Sequence, residues 1–256
     1  QRVMRARGWE AAWISSPANR RYVSGFTGSA GWVIVPARGR AWLHTDGRYA
    51  EQAAAEAPHM RRCMVSRDPL GALAERLAEG PVKRLAFEDE DVPVAVWRRL
   101  RRLCPGLRGE SLSGVIADQR AAKDPGEIRN LRRAVRIAQS AFTAFTRGLR
   151  IGQTEKSLAE KLERLLKARG AEDKAFPLIV ASGPNAALPH AAPSGRRLRR
   201  GDWLLVDFGA RVRGYHSDLT RTLAVGRAST RQREIYQIVK NAQEYSKKTI
   251  RCGPKA

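Results

Sequence analysis

Two aspartates near the C-terminal end of the chain have the type and spacing of metal ligands. Asp207 and Asp218 lie in the segment 203–222, where apolar and β-branched residues flank a turn ending near Gly214, a pattern that predicts a β-hairpin. With the turn centred on residues 212 and 213, the aspartates lie directly opposite each other, with about 5 Å between their Cβ atoms. A turn shifted by one position makes them diagonal neighbours on the same face. In both cases like charges repel unless a cation lies between them.

Carboxylate oxygens are the ligands that hard divalent ions such as Mn²⁺ or Mg²⁺ prefer. Two such ions about 3.5–4 Å apart lower the pKa of a shared water, which can then attack a carbonyl group at neutral pH. The alternative is that both aspartates are solvent-facing residues close to a turn, and their spacing alone does not decide between the two interpretations.

The residues around the aspartates carry a resemblance. The segments 206–210 (VDFGA) and 215–222 (YHSDLTRT) resemble the metallopeptidase family with the pita-bread fold, which includes Xaa-Pro aminopeptidases, Xaa-Pro dipeptidases, methionine aminopeptidases and creatinases. The resemblance implies a dinuclear metal centre in which Asp207 serves one ion and Asp218 bridges both. It implies Mn²⁺ as the ion, with Co²⁺ and Zn²⁺ as alternatives.

Further site residues follow from the same resemblance. A lone histidine is more often structural or merely exposed, but the loop around Asn185 and His190 resembles the family's Asn–His loop beside the metals. His190 is therefore the candidate catalytic and substrate-binding residue. Thr220 shares a face with Asp218 and is predicted to orient its carboxylate by a hydrogen bond. His216 lies on that face too and is not predicted to be a ligand.

The first part of the chain alternates short apolar runs with helical patterns, which predicts a sheet covered by helices. The last element predicted in this part is a helix over residues 94–103, followed by a break at 104–109 and a short link at 111–114. The glycine-rich segment 25–31 lacks the spacing of a phosphate-binding loop and follows a helix, so a tight connection is predicted. The segments 19–31 and 45–49 resemble the N-terminal domain of Xaa-Pro peptidases and creatinases, which implies a ribonuclease-H-like fold without nuclease activity. Asp46 and Asp68 are interpreted as surface or capping residues.

The predicted fold class is therefore α/β and α+β. A ribonuclease-H-like domain over residues 1–117 is followed by an incomplete pita-bread catalytic domain over residues 118–256. The long helix that opens the second domain begins after Asp124, a predicted N-cap, and Ile128 is placed on its apolar stripe. A second helix is predicted from the N-cap Thr154. Asp202, which precedes the strand of Asp207, is interpreted as a turn residue. In the family, a histidine and two glutamates complete the metal site beyond the segment matched here. The chain is accordingly interpreted as a C-terminally truncated peptidase with little activity of its own.

Composition limits the other functions. The net charge of +23 suggests nucleic-acid binding, but only ten of the 48 basic residues are lysines and the arginine runs lack interleaved aromatic residues, so a specific nucleic-acid site is disfavoured. Cys63, Cys104 and Cys252 form no paired motif and are interpreted as free thiols of a cytoplasmic protein. No apolar run is long enough to span a membrane.

The function predicted from the sequence is cleavage of Xaa-Pro bonds at peptide N-termini by a metal-dependent aminopeptidase or dipeptidase. The substrate is a proline-containing peptide, and the resemblance implies a homodimer for the full-length protein. The alternative is a non-catalytic, peptidase-like module that binds a protein or nucleic acid. A metal-free creatinase is a third option. Retention of both Asp207 and Asp218 disfavours these two alternatives.

Overall fold

The computed structural model describes residues 1–65, 67–80 and 82–250. The chain forms two compact units, and the boundary between them in the sequence lies between Ala122 and Lys123. The boundary predicted at residue 117 falls inside the helix Val115–Ala121, which belongs to unit 1. Cys63 and Cys104 are free thiols, and Cys252 lies outside the described residues.

Unit 1 is a sheet covered by helices. Its strands are β1 Ala11–Ile14, β2 Trp32–Pro36, β3 Trp42–Thr45, β4 Arg61–Met64, β5 Arg84–Phe87 and β6 Arg108–Ser111. Its helices are α1 Arg2–Arg7, α2 Pro17–Ser24, α3 Ala50–Glu56, α4 Pro69–Glu79, α5 Val94–Leu103 and α6 Val115–Ala121. The strand order is β4-β3-β2-β1-β5-β6, with β1 antiparallel to β2 and parallel to β5.

The glycine-rich segment of unit 1 connects α2 to β2, as predicted. The side chain of Arg20 is buried and donates hydrogen bonds of 2.5 Å to the carbonyl oxygens of Gly28 and Gly31. Asp46 and Asp68 have the predicted capping roles, since each side chain accepts a backbone N–H of the helical turn that follows it. The hydrogen bonds of Arg20 therefore explain the structure of the glycine-rich segment 25–31 without a bound phosphate.

Unit 2 places two long helices against two small sheets. Its helices are α7 Pro125–Arg147, α8 Glu155–Ala168 and α9 Thr230–Thr249. Its strands are β7 Asp173–Lys174, β8 Ile179–Ser182, β9 Trp203–Phe208, β10 Ala210–Val212, β11 Tyr215–His216 and β12 Leu219–Ala224. They form two three-stranded sheets, in the orders β12-β9-β8 and β11-β10-β7.

Alternation along β9 separates a buried face of the sheet from an open one. Leu204, Val206 and Phe208 are fully buried in a core shared with α7 and α8, and the Phe208 ring stacks on Phe142 at 5.0 Å. Asp207 therefore points to the opposite face, because successive side chains of a strand alternate. The helices fix the sheet from one side and leave the other side open for chemistry.

Helix α9 follows β12 and contributes no buried residue among those described. Its apolar side chains Ile238 and Val239 are 64% and 63% exposed. Of the described helices, none combines the length and the apolar character that a bilayer crossing requires.

Candidate metal centre

The hairpin that carries both aspartates is formed by β9–β10 and β11–β12, with its turn at Arg213 and Gly214. Both turn residues have positive φ, 47° and 72°, as a two-residue hairpin turn of the primed type requires. Asp207 pairs with Thr220 in the register, so that Asp218 lies diagonally from Asp207 on the same face. The structure thus has the diagonal arrangement of the two that the sequence allowed, with about 7 Å between the Cβ positions of such neighbours.

Thr220 orients a different aspartate from the one predicted. Its hydroxyl donates a hydrogen bond of 3.1 Å to Oδ1 of Asp207, whereas the sequence predicted a bond to Asp218. The reason is the register, which places Thr220 directly opposite Asp207. Asp207 is half-buried and fixed by this contact, while Asp218 and Thr220 are exposed on the open face. The two carboxylates of Asp207 and Asp218 therefore differ in their exposure to solvent and in their hydrogen bonds.

A glycine lets the two strands cross closely between the aspartates. A Cβ on Gly209 would stand 1.9 Å from the carbonyl oxygen of Ser217, so no other residue fits there without a backbone shift. Ser217 is itself buried, and its hydroxyl accepts the N–H of Ala210 at 2.9 Å and donates to the carbonyl oxygen of Ala134 in α7 at 3.3 Å. The strands change from one sheet to the other at this point, and the serine ties the crossing to the helix.

Two glutamates fix the far end of the hairpin. The carboxylate of Glu172 accepts the backbone N–H of Arg213 at 2.6 Å and that of Gly214 at 3.3 Å, which satisfies the donors of the turn. The hydroxyl of Tyr215 donates to Glu127, in the first turn of α7, at 3.0 Å. The turn end of the hairpin is therefore held, and the relative position of the two aspartates is set by the backbone register.

The loop that carries His190 leaves the sheet at β8, the neighbour of β9. A short 3₁₀ helix, Gly183–Ala187, packs against both strands, and Ile179 of β8 lies beside Asp207 in the register. His190 follows in an exposed turn. The side chain of Asn185 donates to both carboxylate oxygens of Glu155 at 3.1 Å.

Glu155 holds the loop that carries His190 and was not identified from the sequence. It is the first residue of α8, where an acidic side chain is ordinarily explained by the helix dipole. Its hydrogen-bond partners lie 27 to 39 residues away, so no local pattern could have revealed them. Asp202, interpreted from the sequence as a turn residue, closes a turn with Arg199 through hydrogen bonds of 3.2 and 2.8 Å, and it also forms an ion pair of 2.7 Å with Arg196 at the end of the same loop.

The donor set fits a hard divalent cation in part. Asp207 and Asp218 present carboxylate oxygens on one face of a rigid hairpin, and the Thr220 hydroxyl orients one of them, which is the usual arrangement around a metal ligand. Within residues 1–65, 67–80 and 82–250, no cluster of three or more His, Cys, Asp or Glu side chains is positioned to hold a metal ion. The described residues thus supply two candidate ligands, fewer than a hard divalent ion requires.

The fold and this hairpin are those of a metallopeptidase family. Residues 129–256 match the metallopeptidase family M24, and residues 1–122 match the creatinase/prolidase N-terminal domain. The chain belongs to this family. The fold predicted from the sequence is confirmed: a prolidase-type pita-bread domain preceded by an N-terminal domain.

Comparisons with individual proteins point to the same family. The chain is 32% identical over 244 residues to an Xaa-Pro dipeptidase of Pyrococcus horikoshii, a match that covers 95% of this chain and 68% of the relative. Among solved structures it is similar to an Xaa-Pro dipeptidase from Bacillus anthracis, with a TM-score of 0.90, 33% identity and coverage of 94% and 68%. It is also similar to an X-Pro aminopeptidase from Thermotoga maritima, with a TM-score of 0.88, 33% identity and coverage of 95% and 70%.

Proposed function

We propose that the protein is a metal-dependent peptidase that cleaves Xaa-Pro bonds at peptide N-termini. The observation that carries the proposal is the hairpin, which fixes Asp207 and Asp218 as diagonal neighbours on the open face of a sheet. Xaa-Pro peptidases are prominent among the similar proteins, and the chain covers 68–70% of the length of the relatives named above.

The roles of the site residues follow from their placement. Asp207 and Asp218 would hold the divalent ions, which supply activation of water for attack on the scissile carbonyl. Thr220 fixes the orientation of the Asp207 carboxylate. His190, exposed on the loop after β8, would contact the substrate and donate to the developing oxyanion. Proline at the scissile bond lacks an N–H and has a fixed φ, so its recognition depends on shape rather than on a backbone hydrogen bond.

The finer features of the proposal rest on the family resemblance. Mn²⁺ is the proposed ion, with Co²⁺ and Zn²⁺ as alternatives, and the full-length protein is proposed to be a cytoplasmic homodimer. The free thiols Cys63 and Cys104 agree with a reducing compartment. For residues 1–256 alone we expect weak metal binding and slow turnover, because two carboxylates of different exposure are a small ligand set.

A calorimetric titration with Mn²⁺ tests the metal site. We expect Asp207→Asn and Asp218→Asn each to abolish measurable binding, whereas Asp118→Asn, which changes an exposed carboxylate on α6 in unit 1, leaves it intact. Binding that survives both hairpin variants would contradict the assignment of the ligands.

Hydrolysis of matched peptides tests the substrate class. With saturating Mn²⁺, mass spectrometry should detect slow cleavage of Ala-Pro and Ala-Pro-Ala, which Asp207→Asn removes, and no cleavage of Ala-Ala or Ala-Ala-Ala. Equal cleavage of both series would refute the preference for proline. Rapid turnover by residues 1–256 would refute the expectation that their ligand set is insufficient.

A further inference from the structure

Glu155 is a buried carboxylate whose role is not explained by its own helix. It follows the N-cap Thr154 at the start of α8, and it is only 1% exposed. Thr154 already satisfies the N–H of Ser157 through its side chain, at 3.1 Å. The carboxylate of Glu155 turns instead to the loop that leaves β8.

The two oxygens of this carboxylate accept donors from three points of that loop. Oε1 accepts the backbone N–H and the hydroxyl of Ser182, the last residue of β8, at 2.7 and 2.8 Å. Oε2 accepts the backbone N–H and the hydroxyl of Ser194, at 3.0 and 2.5 Å. Asn185 donates to both oxygens at 3.1 Å. One side chain therefore joins the start, the first turn and the end of the segment.

The backbone at the start of α8 strengthens this connection. The N–H of Glu155 donates to the carbonyl oxygen of Arg196 and that of Lys156 to the carbonyl oxygen of Ser194, both at 3.0 Å. The guanidinium of Arg196 in turn donates to the hydroxyl of Ser182 at 2.6 Å. Both ends of the loop are thus held at one point, which fixes the position of residues 183–193.

The carboxylate is ionised in this environment. Burial alone would raise the pKa of Glu155, but the hydrogen bonds from Ser194 and Ser182 outweigh it, so that the pKa lies below the ordinary value of 4.5. A charged acceptor makes stronger hydrogen bonds than a neutral one, and this favours a single conformation of the loop.

Glu88 in unit 1 provides a comparison. It is 8% exposed and accepts hydrogen bonds from Ser15, Ser16 and Asn19, which are close neighbours in the sequence. Glu88 therefore satisfies one local turn, whereas the donors to Glu155 span residues 182–194. A hydrogen-bonded glutamate thus fixes a strand end in unit 1 and an entire loop in unit 2.

We propose that Glu155 is a positioning residue that fixes the loop 183–193 and thereby presents His190 to the peptide substrate. The substrate role of His190 rests on the proposed function, but the fixing of the loop does not. Removing the charge at Glu155 should therefore loosen the loop and displace His190, with the hairpin of Asp207 and Asp218 unchanged.

Hydrogen exchange measured by mass spectrometry tests the fixing of the loop. In Glu155→Gln we expect exchange in residues 183–193 to rise about tenfold or more, since the amide nitrogen faces N–H donors and leaves them unsatisfied. Exchange in residues 203–208 should stay at the wild-type rate. Glu88→Gln is the matched control, because it alters a similarly buried and hydrogen-bonded carboxylate and should leave residues 183–193 unchanged.

The imidazole signal of His190, assigned by its loss in His190→Gln, reports the displacement by NMR of ¹³C-labelled histidine. It should shift or broaden in Glu155→Gln and keep its position in Glu88→Gln. A folded Glu155→Gln protein with wild-type exchange in 183–193 and an unmoved His190 signal would overturn the proposal. If Glu155→Gln does not fold, Ser194→Ala removes part of the same contacts and must produce the same local increase in exchange.

Kinetics separate this proposal from the proposed function. Where Xaa-Pro turnover is measurable, the losses in kcat from Glu155→Gln and His190→Gln should not multiply, because the first acts through the second. Multiplied losses would mean that Glu155 acts elsewhere and would overturn the positioning role. Absence of any Xaa-Pro turnover, even when the loop loosens as expected, would count against the proposed function alone.

Discussion

Replacing His44 by phenylalanine should remove the main pH dependence of the stability of unit 1 between about pH 7.5 and 5. His44 lies in β3 between Trp32 and Cys63 of the neighbouring strands and is 1% exposed. Its ring stacks on Trp32 at a centroid distance of 6.2 Å, and neither ring nitrogen has a hydrogen-bond partner among the described residues. Burial first, and the positive charge of Arg76 second, lower the pKa of His44 from 6.5 to about 4.

The sign of the effect follows from which state binds the proton. Between pH 6.5 and 4 the unfolded chain protonates this histidine and the folded chain does not, so the free energy of unfolding falls as the pH falls. The gap between the two pKa values corresponds to about 3.4 kcal/mol when the loss is complete, below pH 4. At pH 5 the loss already amounts to about 2 kcal/mol.

Urea unfolding at several pH values measures this loss. Tryptophan fluorescence reports mainly on unit 1, because five of the six tryptophans lie in residues 1–122. His44→Phe keeps a planar ring on Trp32, and an adjoining cavity of about 120 Å³, lined by Gly31, Thr45 and Pro69 among others, leaves room for it. We expect the variant to be at least as stable as the wild type at pH 7.5, since two buried unpaired nitrogens are gone.

His44→Gln is the matched control. It also cannot titrate, so it should lose the same pH dependence, but it keeps a buried polar group and should be less stable than His44→Phe at every pH. A wild-type fall in stability between pH 7.5 and 5 that persists unchanged in both variants would refute the assignment to His44.

Three further outcomes follow from unit 2. Gly209→Ala should destabilise the unit by about 3 kcal/mol, because the new Cβ meets the opposite backbone, whereas Gly195→Ala, with open space around it, should cost much less; urea unfolding compares the two. Asp202→Asn removes a part-buried ion pair and should cost about 2 kcal/mol at pH 7, and the difference from wild type should shrink below pH 4, since the carboxylate has a lowered pKa. Thr220→Val should weaken Mn²⁺ binding about tenfold by freeing the Asp207 carboxylate, and an unchanged affinity in calorimetry would exclude that role.

The elements of the fold with strong local signals could be predicted from the sequence. Asp124 and Thr154 mark the starts of α7 and α8, and both cap as predicted. The face that α7 buries was less accurate, because the helix packs through Ala134, Ile137 and Ala141, while Ile128, predicted to lie on the buried stripe, is 38% exposed. Alanines give little periodic signal, so the predicted stripe was rotated around the helix.

Short elements with polar residues escaped prediction. Strand β6 at the sheet edge and helix α6 have no counterpart among the predicted elements. Mostly exposed segments such as Arg108–Ser111 show no alternation of apolar residues, and the pairing of this strand with β5 is decided by tertiary structure.

The candidate site, like the fold, could be predicted from the sequence only in part. The face shared by Asp207 and Asp218 followed from a period of two, but the partner of Thr220 depended on a one-residue choice of turn position. Glu155 could not be found, because its donors are brought to it only by the folded chain. Composition and periodicity can identify helices, strands and their buried faces. Hydrogen bonds between residues that are far apart in the sequence become visible only in the folded structure.

Both units contain a charged glutamate that collects serine and asparagine donors at a strand end, Glu88 in one and Glu155 in the other. A neutral residue in place of either glutamate leaves these serine and asparagine donors with fewer acceptors, because a carboxylate offers more acceptor sites than a neutral side chain. A version of the protein intended for acidic media would have to redesign each glutamate together with its serines. Because the pKa values of both glutamates are lowered, the stability they contribute falls as the pH drops below about 4.5, and the two polar clusters add to the loss that His44 causes.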